Sequence, residues 1–241
     1  MSMMREGVAI ITGGGTGIGA ATALELAGAG MRVAVVGRRP EPLGEVVAGI
    51  AARGGEAVSH PADVADYAAM ARVVAEVGAR WGRIDVVVSN AALHDVSSVA
   101  SGDPAWWRQV VETNVLGGMN IVRAALPEMY RRESGHIVIV ASVSGRVTYV
   151  GEPVYVASKH ALVAFGECLR QEVSPRGLRV TLVEPGLVET PFIDNPFARE
   201  LKKTVTPLQP EDCARVIRFA VEQPPHCAIN EVVLRPVKQV L

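Results

Sequence analysis

One junction constrains this chain more than any other. The β-branched run Val8-Ala9-Ile10-Ile11-Thr12 passes without a linker into Gly13-Gly14-Gly15-Thr16-Gly17-Ile18-Gly19, and then into helix-forming residues from Ala20 to Gly28. A strand that turns through glycines straight into a helix fits a parallel sheet whose strands are joined by crossover helices. The turn also predicts a ligand. Its backbone N–H groups can approach a pyrophosphate closely, and the positive end of the following helix dipole adds to the attraction. Glycines can also serve flexibility alone, so the flanking strand and helix carry this reading. The expected contacts are Gly13, Thr16, Gly17, Ile18 and Gly19. The spacing is GxxxGxG rather than GxGxxG, because Ile18 stands at the last position of the latter.

The rest of the chain repeats the pattern. Short apolar runs at Arg32–Gly37, Ala57–His60, Ile84–Asn90, His136–Ser142, Arg179–Glu184 and Glu231–Arg235 alternate with longer segments of helical period. Runs apolar at nearly every position, such as Ile137-Val138-Ile139-Val140, suit strands covered on both faces. The fold class expected is α/β, a doubly wound sheet, with residues 1–241 as one domain. Pro104 precedes a helix from Ala105 to about Arg132 that Gly135 closes. Pro175 to Gly177 close a helix starting near Tyr155. The stretch from Gly186 to Gln209, with Pro191, Pro196 and Pro207, is irregular and reads as a mobile lid.

Composition removes several function classes. A formal net charge of -1 with mixed signs leaves no electrostatic footprint for nucleic acid or an anionic membrane. No stretch is long and apolar enough to span a bilayer, and Met1 to Arg5 lack the apolar run of a leader, so a cytoplasmic location is expected. Cys168, Cys213 and Cys227 show no ligand or disulfide spacing, nor do the five histidines, so no metal is expected.

After the second strand, where an acidic side chain would grip a ribose 2′-hydroxyl, the sequence reads Gly37-Arg38-Arg39. Guanidinium forks suit a 2′-phosphate, so Arg38 and Arg39 favour NADP, with NAD as the alternative; a solvated arginine pair is the plainer reading. Asp63-Val64, after the third strand, is either an adenine contact or a helix cap.

Tyr155-Val156-Ala157-Ser158-Lys159 places a phenol and an ammonium one turn apart on one helix face. At about 4 Å and an effective dielectric near 20, that charge favours the phenolate by roughly 4 kcal/mol, which would bring the tyrosine toward neutral pH. Spacing of this kind usually means a core aromatic beside a snorkelling lysine. Here two strands end in Ala141-Ser142-Val143-Ser144 and Ser89-Asn90-Ala91, at the carboxyl edge where open α/β sheets bind ligands.

Together these motifs resemble the short-chain dehydrogenase/reductase family, in its single-domain form. The likeness runs from TGxxxGIG (Thr12 to Gly19) through an NNAG-like element (Ser89-Asn90-Ala91-Ala92) to YxxSK (Tyr155 to Lys159), with Asn114, Ser142 and Pro185-Gly186-Leu187-Val188-Glu189-Thr190 also at family positions. Ser89 and Ala92 depart from NNAG. The resemblance implies a Rossmann-like sheet of seven parallel strands and a hydride transfer between a nicotinamide cofactor and a small carbonyl or secondary alcohol. It implies Tyr155 as proton donor and acceptor, Ser142 on the substrate oxygen, Lys159 on the nicotinamide ribose, and Asn114 anchoring a water. It further implies Asn90 and Ala91 by the ribose, with Val188 and Thr190, beside Pro185 and Gly186, at the carboxamide. A homodimer or homotetramer is implied too, with Trp106 and Trp107 in core or interface packing.

Substrate residues are less legible. His94, Tyr149, Phe192 and Phe197 are candidates, each weighed against an ordinary core or surface place. The last strand is similar to that of family members acting on small hydroxy acids, hydroxy-amino acids or aldehydes. Two rivals keep the fold: a nucleotide-sensing regulator without catalysis, and a dehydratase or epimerase that retains its nucleotide.

Overall fold

The computed structural model describes residues 6–192 and 196–240. All seven apolar runs form strands: β1 (Val8–Thr12), β2 (Arg32–Gly37), β3 (Ala57–Pro61), β4 (Val86–Ser89), β5 (Gly135–Val140), β6 (Leu178–Pro185) and β7 (Glu231–Leu234). They pair in parallel, in the order 3-2-1-4-5-6-7. The helices are α1 (Gly17–Gly28), α2 (Pro40–Ala51), α3 (Tyr67–Trp81), α4 (Pro104–Val111), α5 (Gly117–Arg132), α6 (Pro153–Val173), α7 (Pro196–Leu201) and α8 (Pro210–Glu222). This is the Rossmann-like doubly wound fold.

Alternate strand residues bury against opposite layers, because successive side chains of a strand point to opposite faces. Ala9, Ile11, Val33, Val35 and Val88 pack under Leu26 of α1, Leu43 and Ile50 of α2, and Ile217 of α8. Ile10, Val36, Val87, Ile137 and Ile139 pack under Met70 and Val77 of α3, Ile121 and Met129 of α5, and Leu162 of α6. Each such side chain, fully removed from water, stabilises the fold by about 1.5–3 kcal/mol before chain entropy is counted. The winding reverses between β1 and β4, and their carboxyl ends part there to leave a crevice.

Three local expectations change. The helix expected from Ala105 to Arg132 is interrupted by a π segment, Glu112–Leu116, with Asn114 at its centre. An i→i+5 turn widens the helix, and such turns cluster at functional sites. Gly135 does not close α5; Glu133 does, in a left-handed conformation at φ 48, and Gly135 begins β5. A Cβ on Gly135 would stand 2.5 Å from Met129 Sδ, so close packing explains the glycine. The segment from Gly186 to Gln209 carries α7, a bridge between Val188 and Leu208, and its own buried cluster of Leu187, Ala198 and Val205.

Candidate functional site

The glycine turn is clasped to β4 by two side chains. Thr12 Oγ1 accepts the N–H groups of Asn90 (2.9 Å) and Ala91 (3.1 Å), and Asn90 Nδ2 donates back to Thr12 O at 2.9 Å. Gly13, at φ +63, lies so near that a Cβ would sit 2.8 Å from Asn90 Nδ2. A Cβ on Gly19 would stand 2.2 Å from Gly13 O, which lets α1 begin directly against the turn. Thr16 is the N-cap residue of α1, and its side chain bonds none of the helix N–H groups, so the positive end of α1 faces the crevice.

Two adjoining cavities, of about 760 and 670 Å³, follow the carboxyl edge and share Gly13, Thr16, Ala91 and Ala92. The first takes in Gly17, Ile18, Asn90 and Ala91, then Ser142, Tyr155 and Lys159, and then Pro185, Gly186, Val188 and Thr190. The second takes in Arg38, Arg39, Asp63 and Val64. Gly19 lines neither and lies beneath the turn. Arg38 and Arg39 are exposed at the start of α2 and form no ion pair among the described residues. The helix cap of α3 is Asp66, which accepts from Ala69 N at 3.1 Å, while the Asp63 carboxylate accepts from Ala65 N in the preceding turn. Small residues at the turn, an unpaired helix end and two free guanidiniums fit a dinucleotide carrying a further phosphate.

At the other end, Ser142 Oγ accepts from Ser144 N at 3.1 Å and lines the same cavity as Tyr155. Tyr155 is 5% exposed and Lys159 2%. Lys159 Nζ donates to Val140 O at 3.1 Å and sits 5.6 Å from the centre of the Tyr155 ring. Burial pulls the ammonium down to about 8, and it holds the phenol well above its ordinary value, opposed by the Ser142 hydrogen bond and reinforced by Tyr149 and Glu152. The expectation that Lys159 draws the phenol toward neutrality is therefore corrected. Spacing assumed a partly wet medium, whereas the folded site buries both groups, and the cost of burying the charged form dominates.

Asn114 is 1% exposed and fully engaged. Its Oδ1 accepts from Leu93 N at 2.6 Å, while Nδ2 donates to Leu93 O at 2.9 Å and to Ser158 Oγ at 3.0 Å. It ties the loop after β4 to α6, one residue before Lys159.

A third cavity, of about 430 Å³, opens on the far side of Ser142 and Tyr155. Its polar wall is His94, Ser144, Tyr149 and Glu152, its apolar wall Val143, Leu187, Ala198 and Leu201, and Gln239 from the chain's last turn closes one end. Gln239 Oε1 accepts from Leu187 N at 2.8 Å. The His94 ring stands edge-on to Tyr155, centres 4.6 Å apart, and Phe192 is 5.6 Å from His94. Tyr149 bonds Ser144 Oγ and Glu152 Oε2, and burial pushes its phenol up to about 12. The Phe197 side chain lies outside the described residues. Sequence reasoning missed Thr12, Glu152 and Gln239. Glu152 left a faint signal, a glutamate directly before Pro153 at a helix start where a short capping side chain is usual.

Among the described residues no helix is long and apolar enough to cross a membrane, and no cluster of three or more His, Cys, Asp or Glu could hold a metal.

Comparison with known proteins agrees with this geometry. The family model for short chain dehydrogenases matches residues 7–200. An uncharacterized oxidoreductase of Staphylococcus saprophyticus is 34% identical over 238 residues, 98% of this chain and 100% of that protein. A metagenomic short-chain oxidoreductase solved with NADP superimposes with a TM-score of 0.86 at 30% identity, covering 99% of this chain and 100% of the other. An alcohol dehydrogenase from the archaeon Thermococcus sibiricus, solved with 5-hydroxy-NADP, gives 0.88 at 27% identity, covering 96% and 97%. The chain belongs to the short-chain dehydrogenase family of oxidoreductases.

Proposed function

We propose that this protein is an NADP-dependent reductase of small carbonyl compounds, interconverting them with secondary alcohols, with Tyr155 as the proton donor. The observation that carries this reading is the meeting of Ser142, Tyr155 and Lys159 in one cavity with the glycine turn. Bound NADPH would supply the hydride. Gly13, Gly17 and the start of α1 would hold its pyrophosphate, Arg38 and Arg39 its 2′-phosphate, and Asp63 and Val64 its adenine. One relative solved with NADP and another solved with 5-hydroxy-NADP support the choice of NADP.

The chain's own residues do the rest. Ser142 Oγ donates to the carbonyl oxygen and fixes its position. Tyr155, kept protonated by burial, gives its proton to that oxygen as negative charge develops there. Lys159 binds the ribose hydroxyls and holds a positive charge beside the tyrosine after the proton leaves. Asn114 keeps α6 in register with the loop after β4. His94, packed edge-on to Tyr155, shields the reacting face from water.

In this reading residues 1–241 form one domain carrying both cofactor and catalytic groups. It acts as a homodimer or homotetramer in the cytosol, and exposed Val111, Leu116 and Phe219 offer apolar surface for assembly. The test is nicotinamide oxidation with a panel of small ketones and aldehydes. Turnover with NADPH exceeding that with NADH supports the reading; preference for NADH removes the arginine assignment, and nucleotide binding without turnover of any substrate favours a regulator.

A further inference from the structure

The third cavity holds a charged group that proton transfer does not use. Glu152 stands at the N-cap position of α6, yet its carboxylate bonds none of that helix's N–H groups. It is 6% exposed and turned to the cavity wall instead. Tyr149 donates to Oε2 at 3.2 Å and His94 Nε2 faces the same oxygen at 3.1 Å, while among the described residues Oε1 takes no hydrogen bond.

The surroundings define what such a group would recognise. Among the described residues no lysine or arginine lines this cavity, and Lys159 faces the neighbouring one, bonded to Val140 O. The rings of His94, Tyr149 and Tyr155 form the wall beside Glu152, with Phe192 6.2 Å from Tyr155. A half-satisfied carboxylate among aromatic faces attracts an ammonium through both its charge and the ring quadrupoles. A substrate carboxylate would meet a like charge on Glu152, which argues against the small hydroxy acids suggested by the last strand.

We propose that Glu152 is a specificity residue that selects carbonyl or alcohol substrates bearing a protonated amine a few bonds from the reacting carbon, with the ammonium on Glu152 Oε1. This rests on the reading of Tyr155 as proton donor. The probes are aminoacetone, butan-2-one and pyruvate, ketones of similar size differing in charge, reduced at saturating NADPH. In the wild type kcat/KM for aminoacetone should exceed that for butan-2-one by at least about tenfold, with pyruvate last.

Glu152→Gln should reduce the aminoacetone to butan-2-one ratio by about tenfold or more, and Glu152→Asp should keep the preference for the amine. A residue that merely supports His94 would alter both ketones alike and leave the ratio fixed. A wild-type ratio near one, or a ratio unmoved by Glu152→Gln, overturns the proposal. If no ketone is turned over, the catalytic reading fails separately. Calorimetry of 1-aminopropan-2-ol against butan-2-ol, each with NADP present, then decides: tighter amine binding lost in Glu152→Gln supports the assignment, and equal binding overturns it.

Discussion

Replacing Lys159 by methionine should abolish turnover without loss of stability at neutral pH. In the unfolded chain the ammonium titrates near its ordinary 10.5, whereas burial brings it to about 8 in the fold. Between those values the unfolded state holds a proton that the folded state has released, so the unfolding free energy rises with pH across that window. Below about pH 8 the full cost is present. At about 1.36 kcal/mol per pH unit it amounts to about 3 kcal/mol. Methionine removes that cost and deprives Val140 O of its donor, a loss of about 1–3 kcal/mol. At pH 7 the variant should therefore match the wild type or exceed it by up to about 2 kcal/mol. Urea unfolding of both proteins from pH 7 to 10 isolates the lysine, because titrations common to the two cancel in the difference. The wild type should gain about 2–3 kcal/mol on the variant across that range. A flat difference would refute the argument that Lys159 is a buried ammonium held at a cost to the fold for the sake of the site.

Other substitutions probe the remaining parts. Gly19→Ala drives a Cβ to 2.2 Å from Gly13 O, so a loss of about 2 kcal/mol or more in thermal unfolding is expected, along with weaker nucleotide binding by fluorescence. Arg38→Ala with Arg39→Ala should weaken NADPH by about tenfold to a hundredfold and NADH by little, measured as separate dissociation constants. Asn114→Ala leaves both polar groups of Leu93 without their partner and should destabilise the protein by about 2–3 kcal/mol in denaturant unfolding.

The strands were legible because a strand buried on both faces is written almost wholly in Val, Ile and Ala, as in β1 and β5. Their ends were less so. Asn90 and Ser142 read as strand residues, yet β4 stops at Ser89 and β5 at Val140, because a tertiary bond from Asn90 N to Thr12 Oγ1 and a local cap of Ser144 N by Ser142 Oγ take over there. The π segment left no trace, since one extra residue in a turn barely changes the apolar spacing of Val110 and Ile121. Glu133 as a helix end defies propensity, because Gly135 is held to β5 by contact with Met129.

The candidate site was legible as a set of residues, because the glycine turn and the Tyr155 to Lys159 pair are local in sequence. Its electrostatics were not. The sign of the Tyr155 shift depends on how deeply the fold buries the phenol, and on the charge of Glu152 brought beside it. Asp63 and Asp66 show the same limit. Either could cap α3 by composition, and only the backbone path decides for Asp66.

The most direct test of the central claim is NADPH oxidation by Tyr155→Phe beside NADPH binding by the same variant. Phenylalanine keeps the ring that packs edge-on to His94 and removes only the hydroxyl, and with it the transferable proton. Turnover should fall by about a thousandfold or more, while the NADPH dissociation constant stays within a few-fold of wild type. Full turnover by the variant would contradict the account.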